Sequence, residues 1–399
     1  MTAALPVIWI YASPQARRQG APLLEALEGL GTCLYLGSQG DGDRRLDLNL
    51  DLGPRPDLAL ALESCPRELR PWACLWLAGP REAQPQGLAS LPCPVLGLGA
   101  PGPEGLLPAD PRQAVQDLGQ ALALGFRLPW MAGAQVNVPL RDLLGRYGPL
   151  LAHFPLNPEV GIDYLALDTL GPADLARAQA ILAGRRVSVH LPFGDLVPGS
   201  LDPQVAGLAA GRLLAAGRWA VQLGAMQAVL HLGFEPRLHQ PADEYAQRLA
   251  QGLAPLARLL AQGGCRLVME NTFELEPSPL LLCRQALAQA AGVEVGFCLD
   301  VGHASCFSRT SLEAWWRALG PHLHEMHLHD NDGLGDQHLP PGQGRVDWEF
   351  LGRGLAELPC QPLLTLEPHS EPDLWASLRA LQRLWGRPDL DAGKAPPLT

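Results

Sequence analysis

Beyond residue 185 nine residues form a candidate set of metal ligands: His190, His231, Glu270, Asp300, His303, His327, Asp336, His338 and Glu367. Imidazole mixed with carboxylate suits Zn, Mn or Fe, whereas a site for Mg alone would be built from oxygens. One Zn ion is satisfied by about four protein ligands. Nine candidates are too many for one ion and fit two or three sharing a bridging carboxylate. Divalent ions a few ångströms apart suit phosphoester cleavage, because together they generate the nucleophile and stabilise the attacked and leaving oxygens. The count therefore favours a hydrolase. Taken singly, each residue has a plainer role: a His at a strand end is more often a structural hydrogen-bonding group, and DNDG (330–333) is an ordinary turn. Those readings weaken when they must all hold at once. His329 shares a strand face with His327 and rivals it as a ligand. Asn271 and Asp330 are placed to orient ligands, and His322, His324 and His369 are read as structural or supporting.

The elements that must position these groups follow from the spacing. Six candidates close short apolar segments: RRVSVH at His190, AVLH at His231, RLVME at Glu270, VGFCLD at Asp300, LHEMH at His327 and LLTLE at Glu367. The intervals between these ends run from 27 to 41 residues. Each has room for a strand, a helix and two loops, which is how a (βα)8 TIM barrel gathers polar groups onto one rim. Strands are expected at 135–138, 162–167, 186–190, 226–231, 265–270, 294–300, 323–328 and 362–367. Helices are expected between them, notably 203–223, 243–262 and 372–385, with Asp202 and Ser311 as N-caps.

The 399 residues are 47% hydrophobic, ample for a large core. A formal net charge of −11 makes nucleic acid a poor partner, and residues 131–399 alone hold twenty Arg and Lys against twenty-eight Asp and Glu. The only lysine, Lys394, lies in the tail, which argues against Schiff-base chemistry. Nine singly scattered cysteines without a CxxC pair read as reduced residues of a cytoplasmic protein. The N-terminus lacks the basic flank of a signal peptide, and no run is long enough to span a membrane.

Residues 1–128 alternate apolar strands (7–13, 32–37, 57–62, 72–78, 93–99) with helical stretches, and 110–126 closes the unit as a helix. Continuous apolar strands argue for a small parallel sheet, a doubly wound flavodoxin-like domain. Its pattern resembles a receiver domain. The acidic pair after the first strand is missing (IYASP), Leu62 and Glu63 stand where a phosphoacceptor would follow the third, and no lysine follows the fifth. This unit is expected to be non-catalytic, either a docking or dimerisation module or a structural appendage. The stretch GAPGPEGLLP (99–108) reads as linker-like, residues 129–390 as the catalytic barrel, and 391–399 as a mobile tail.

VHLPF (189–193), VLHLGF (229–234), MENTFE (269–274), CLDVGHA (298–304) and MHLHDNDGLGDQHLPPGQGRVDW (326–348) resemble the xylose isomerase-like TIM barrels, over roughly residues 131–390. That superfamily includes endonuclease IV and many sugar isomerases and epimerases. By position, all nine ligands of the trinuclear endonuclease IV site have a counterpart in the nine residues named above. The resemblance to the isomerases implies a single-ion site of Glu270, Asp300, His327 and Glu367, a subset of the nine. Two chemistries follow. In a metal-dependent phosphodiesterase with two or three ions, Glu270 and Glu367 are the catalytic carboxylates, as bridge or proton acceptor. The chain is similar to a branch that cleaves the nucleotide loop of cobamides to a cobinamide product, which makes a small phosphodiester the expected substrate. In a single-metal sugar or sugar-phosphate isomerase or epimerase, the same two carboxylates would flank the substrate carbon and move a proton. A third, non-enzymatic reading is a metal-dependent sensor.

Overall fold

A computed structural model describes five strand segments between residues 7 and 107 and then residues 130–386, apart from 149–150, 152–155 and 359–360. The five segments are β1 (Val7–Ala12), β2 (Thr32–Leu36), β3 (Ala73–Leu77), β4 (Val95–Leu98) and β5 (Leu106–Leu107). They form one parallel sheet in the order β2-β1-β3-β4-β5, the order of flavodoxin-like sheets. Trp9, Ile10 and Cys74 are fully buried in it. The membership of the sheet differs from expectation. Its last strand lies inside the stretch read as a linker, while the expected strand 57–62 and helix 110–126 lie outside the described residues, as does the expected mobile tail.

The second unit is a closed barrel of eight parallel strands: β6 (Gln135–Pro139), β7 (Asn157–Gly161), β8 (Ser188–His190), β9 (Gln227–His231), β10 (Arg266–Glu270), β11 (Val295–Asp300), β12 (Leu323–Leu328) and β13 (Leu363–Leu366), with β13 pairing back to β6. The chain clusters into two compact units that divide at Pro129 and Trp130, with 149–155 and 370–379 counted with the first. Around the strands lie α1 (Tyr164–Thr169), α2 (Pro172–Leu182), α3 (Pro203–Gln222), α4 (Ala242–Gln262), α5 (Ser278–Ala291), α6 (Val301–Cys306), α7 (Leu312–Leu319) and α8 (Trp348–Glu357), and α9 (Glu371–Trp385) follows β13 in the chain. Among the described residues no helix is long and apolar enough to cross a membrane.

Local chemistry explains the element ends. Asp202 caps α3 by accepting from Gln204 N at 2.8 Å, and Ser311 caps α7 by accepting from Ala314 N. On α3 the buried residues Ala209, Leu213, Ala216, Gly217 and Ala220 recur at helical spacing, and on α4 Leu249, Leu253, Leu256 and Leu260 do the same. Gly217 leaves room for Leu256 where the two helices meet, since a Cβ there would overlap its methyl.

One barrel strand is misplaced by the sequence reading. Residues 162–167 are not the second strand; β7 is the preceding NPEVG, and Asp163 starts helix α1 by accepting from Ala166 N at 2.6 Å. The proline and the carboxylate inside NPEVG disguise a strand, while IDYLAL mimics one. The barrel tolerates Glu159 in that strand because its interior holds a polar layer at this level, formed by Gln135, Glu159, Ser188, Gln227, Glu325 and Thr365, all buried. Ser188 Oγ lies 3.1 Å from Gln135 Oε1 and 3.2 Å from Glu325 Oε1, Thr365 Oγ1 donates to Glu325 Oε1 at 2.8 Å, and Gln227 Nε2 donates to Glu325 Oε2 at 2.9 Å. Apolar packing elsewhere includes the cluster of Val229, Val268 and Cys298.

Candidate metal centre

The nine predicted residues converge at the C-terminal ends of the barrel strands. His190, His231, Glu270 and Asp300 are the last residues of β8, β9, β10 and β11; His327 is in β12 and Glu367 directly follows β13. His303 sits in α6, and Asp336 and His338 come from the loop after β12. Asp300 is held three ways. Asn271 Nδ2 donates to its carbonyl at 2.9 Å, Asn271 Oδ1 accepts from its amide at 2.9 Å, and its Oδ1 caps α6 by accepting from His303 N at 2.6 Å. This leaves Oδ2 directed at the centre, where His329 Nε2 meets it at 2.9 Å.

Three groups form, and two of them share Glu270. His190 Nε2 and His231 Nε2 lie 3.2 and 2.9 Å from its Oε2. His327 Nδ1 lies 3.4 Å from its Oε1, 3.3 Å from Glu367 Oε1 and 3.9 Å from Asp300 Oδ2. The third group forms around Asp336 Oδ2, with His303 Nε2 at 3.3 Å and His338 Nε2 at 3.1 Å. Each of four histidines also has its other ring nitrogen against a fixed oxygen: His190 on Leu191 O (2.9 Å), His303 on Asn271 O (3.0 Å), His338 on Glu367 O (2.8 Å) and His327 on Glu159 Oε2 (3.3 Å). Anchoring one nitrogen so that the other faces inward is the arrangement metal-ligating imidazoles require. His338 adopts φ 51°, a left-handed conformation that turns its ring into the cluster.

Electrostatics support the same reading. Burial opposes charge on Glu270, but His231 and His327 outweigh it and hold the carboxyl well below its usual range. Burial also opposes charge on His190 and His338, yet Glu270 and Asp336 respectively push each up to about 9. Burial lowers His231 and outweighs the pull of Glu270. The buried atoms His327 Nδ1, His329 Nδ1 and Asp336 Oδ1 have no hydrogen-bond partner, although each faces opposite charge or a neighbouring donor atom. Unpaired donor atoms converging on shared carboxylates fit divalent cations, which bind the lone pairs that hydrogen bonds leave unused. His190, His231 and Glu270 would hold one ion, Glu270, Asp300 and His327 a second with Glu367 beside His327, and Asp336, His338 and His329 a third; the donor atoms within each of these three trios lie within 4.8 Å of one another, as do those of Asp300, His303 and His329.

His329 is brought into the centre too, stacked on His338 with centroids 3.9 Å apart. Gly302 is required for it, since a Cβ there would overlap the His329 ring. His369 stacks on the far side of His338 at 4.3 Å, whereas His324 pairs with Glu294 at 3.4 Å near the strand starts. Asp330 carries no ligand role. It accepts from Asn331 N, Val346 N, Gly342 N and Trp348 Nε1 at 2.8–3.0 Å and so ties down the 331–348 loop that delivers Asp336 and His338. Sequence reasoning missed Glu159. A carboxylate inside the short run NPEVG was the signal, and it lay one element before the strand assigned there.

The family model of the xylose isomerase-like TIM barrel matches residues 157–384, and the chain belongs to that family. Among solved structures, the TTHB071 protein from Thermus thermophilus, soaked with ZnCl2, is 33% identical, with 64% of this chain and 98% of that chain covered at a TM-score of 0.54. A D-tagatose 3-epimerase-like protein is 21% identical (63% and 96% covered, TM-score 0.53), a likeness of fold. Among curated relatives, MJ1311 of Methanocaldococcus jannaschii is 24% identical over 189 residues. That match takes in 45% of this chain and 64% of the relative, so the chain spans just under two thirds of that protein's length.

Proposed function

We propose that the chain is a metal-dependent hydrolase acting on a small phosphodiester. The observation that carries this reading is the placement of Glu270, whose two carboxylate oxygens face two different sets of histidines while a third set closes around Asp336. In a single-ion centre His190, His231, Asp336 and His338 would bind no metal, although their nitrogen and oxygen atoms converge as ligands do. When bound, divalent ions would supply positive charge to a phosphoryl group and acidify water. The protein's own residues divide the remaining work. Glu270, at 1% side-chain exposure and surrounded by imidazoles that hold its carboxyl well below the usual range, would keep no proton and offer one oxygen to each of two ions. Glu367, at 13%, is more open than Glu270 and would accept the proton that water gives up as its oxygen bonds to phosphorus and the P–O bond to the departing alcohol breaks. Asp300, fixed by Asn271, keeps the middle of the centre rigid.

The second reading is a sugar or sugar-phosphate isomerase or epimerase using only Glu270, Asp300, His327 and Glu367. The comparisons by themselves lean toward it, since solved relatives of this fold include the D-tagatose 3-epimerase-like protein. Nothing in them speaks for cobamides, which stand as one member of the substrate panel. The test pairs two assays on the metal-reconstituted full chain. One is hydrolysis of bis(p-nitrophenyl) phosphate and of a cobamide; the other is deuterium exchange into D-fructose followed by NMR. Phosphodiester cleavage that Asp336→Asn abolishes supports the hydrolase. Ketose exchange that survives Asp336→Asn, with no cleavage, makes the chain an isomerase.

A further inference from the structure

The mouth of the centre is bordered by exposed aromatic rings that neither ion binding nor folding uses. Phe193 follows β8 and packs at 5.0 Å from the His190 ring and 4.6 Å from the His231 ring, yet remains 58% exposed. Phe273 follows β10, contacts Phe307 at 5.0 Å and is 55% exposed. Phe307 lies 5.6 Å from the His303 ring, and His303 lies 6.4 Å from His231. Phe193, His231, His303, Phe307 and Phe273 thus form one continuous arc of rings along the candidate ligands, with a largely exposed phenylalanine at each end. Leu334, in the loop that carries Asp336, is 88% exposed. Large apolar side chains left open on loops at a polar site mark a binding surface.

We infer that one arm of the substrate is a flat aromatic or heteroaromatic group, seated on Phe193 while its phosphoryl group occupies the metal centre. This rests on the phosphodiesterase reading and narrows its substrate class. The chemistry of the arc selects the arm. Ring faces offer dispersion and offset stacking to a planar π system, and a phenylalanine supplies no hydrogen bonds for a polyhydroxyl chain. The ring contacts also fix the distance. Phe193 touches two candidate ligands, so a group covering its exposed face is adjacent to a phosphoryl group held by them.

The test is calorimetric titration of the metal-loaded full chain with phenyl phosphate and with methyl phosphate, which share the anionic head and differ in the arm. Phenyl phosphate is expected to bind about tenfold more tightly, the gain of one stacking contact. The variant Phe193→Ala is expected to erase that preference while Phe273→Ala keeps it, and metal analysis of the same samples separates a lost platform from a lost centre. If Phe193→Ala does not fold, Phe193→Leu should reduce the preference. Equal binding of the two ligands by the unaltered chain overturns the inference and leaves the hydrolase standing. A preference that persists in the Phe193 variants overturns it as well. If neither phosphate binds, the phosphodiesterase reading and the inference fall together.

Discussion

Glu159 shows how much of the centre depends on a residue that binds no ion in this account. Its Oε1 accepts from Asn137 Nδ2 at 2.7 Å and its Oε2 faces His327 Nε2, so the buried imidazole must keep a proton on Nε2 and turn Nδ1 to Glu270 and Glu367. Burial opposes charge on Glu159, but His327 prevails and holds it below the usual carboxylate range. Glu159→Gln is therefore expected to lower the affinity of the most weakly held ion about 10- to 100-fold, read by competition with a chelator, with the far-ultraviolet circular dichroism unchanged. An unaltered affinity would mean that His327 is oriented by packing alone. The six residues at the strand ends were legible because apolar runs ended in them at intervals with room for a strand, a helix and two loops. Glu159 was not, because its role depends on which interior layer of the barrel its strand reaches, and that register is set by neighbours distant in sequence. The roles of Asn271 and Asp330 were legible as orienting groups from adjacency alone, although Asp330 holds a loop and Asn271 holds Asp300.

At the scale of elements, the centre is as rigid as the pieces that present it. The loop after β12 has its own polar anchor in Asp330, which accepts four hydrogen bonds from within 331–348 and is fully buried. Asp330→Ala leaves those donors unpaired and should destabilise the fold by about 3 kcal/mol in chemical denaturation, with loss of the Asp336–His338 group before global unfolding. The polar layer contributed by β6, β7, β8, β9, β12 and β13 predicts a pH effect. Burial, reinforced by Glu159 beside it, pushes the Glu325 carboxyl up to about 8. A folded-state value above the unfolded one means that the neutral carboxyl stabilises the fold fully below about pH 4.5 and ceases to as pH rises through about 8. Glu325→Gln stays neutral throughout, so the metal-free variant should melt higher than the unaltered metal-free chain at pH 9, on the order of 5 °C, and converge with it near pH 5. Equal melting temperatures at both pH values would place the shared proton elsewhere. The helices flanking this layer were readable from Asp202, Ser311 and their apolar spacing. β7 was not, because the polar interior inverts the alternation by which strands are recognised.

Over the whole molecule, the barrel followed from periodicity and the family from five motifs, whereas neither tells how many ions the rim holds. That number depends on whether the loop after β12 folds back over α6, a contact between residues 303 and 336–338 for which the sequence offers only the local DQH motif. The structure brings them within 3.3 Å, and the surplus of donors over a four-ligand site is the basis of the proposed chemistry. The free cysteines described in the barrel are Cys265, Cys283, Cys298 and Cys306, and burial raises the thiols of all four, that of Cys298 despite the His327 imidazole beside it. A thiolate-bound centre is not part of the account. The most direct test is elemental analysis of metal per chain, on protein reconstituted with Zn, Mn or Fe and freed of excess ion. Three ions per chain are predicted, falling to two in Asp336→Asn; a single ion per chain, unaffected by that substitution, would contradict the multinuclear centre.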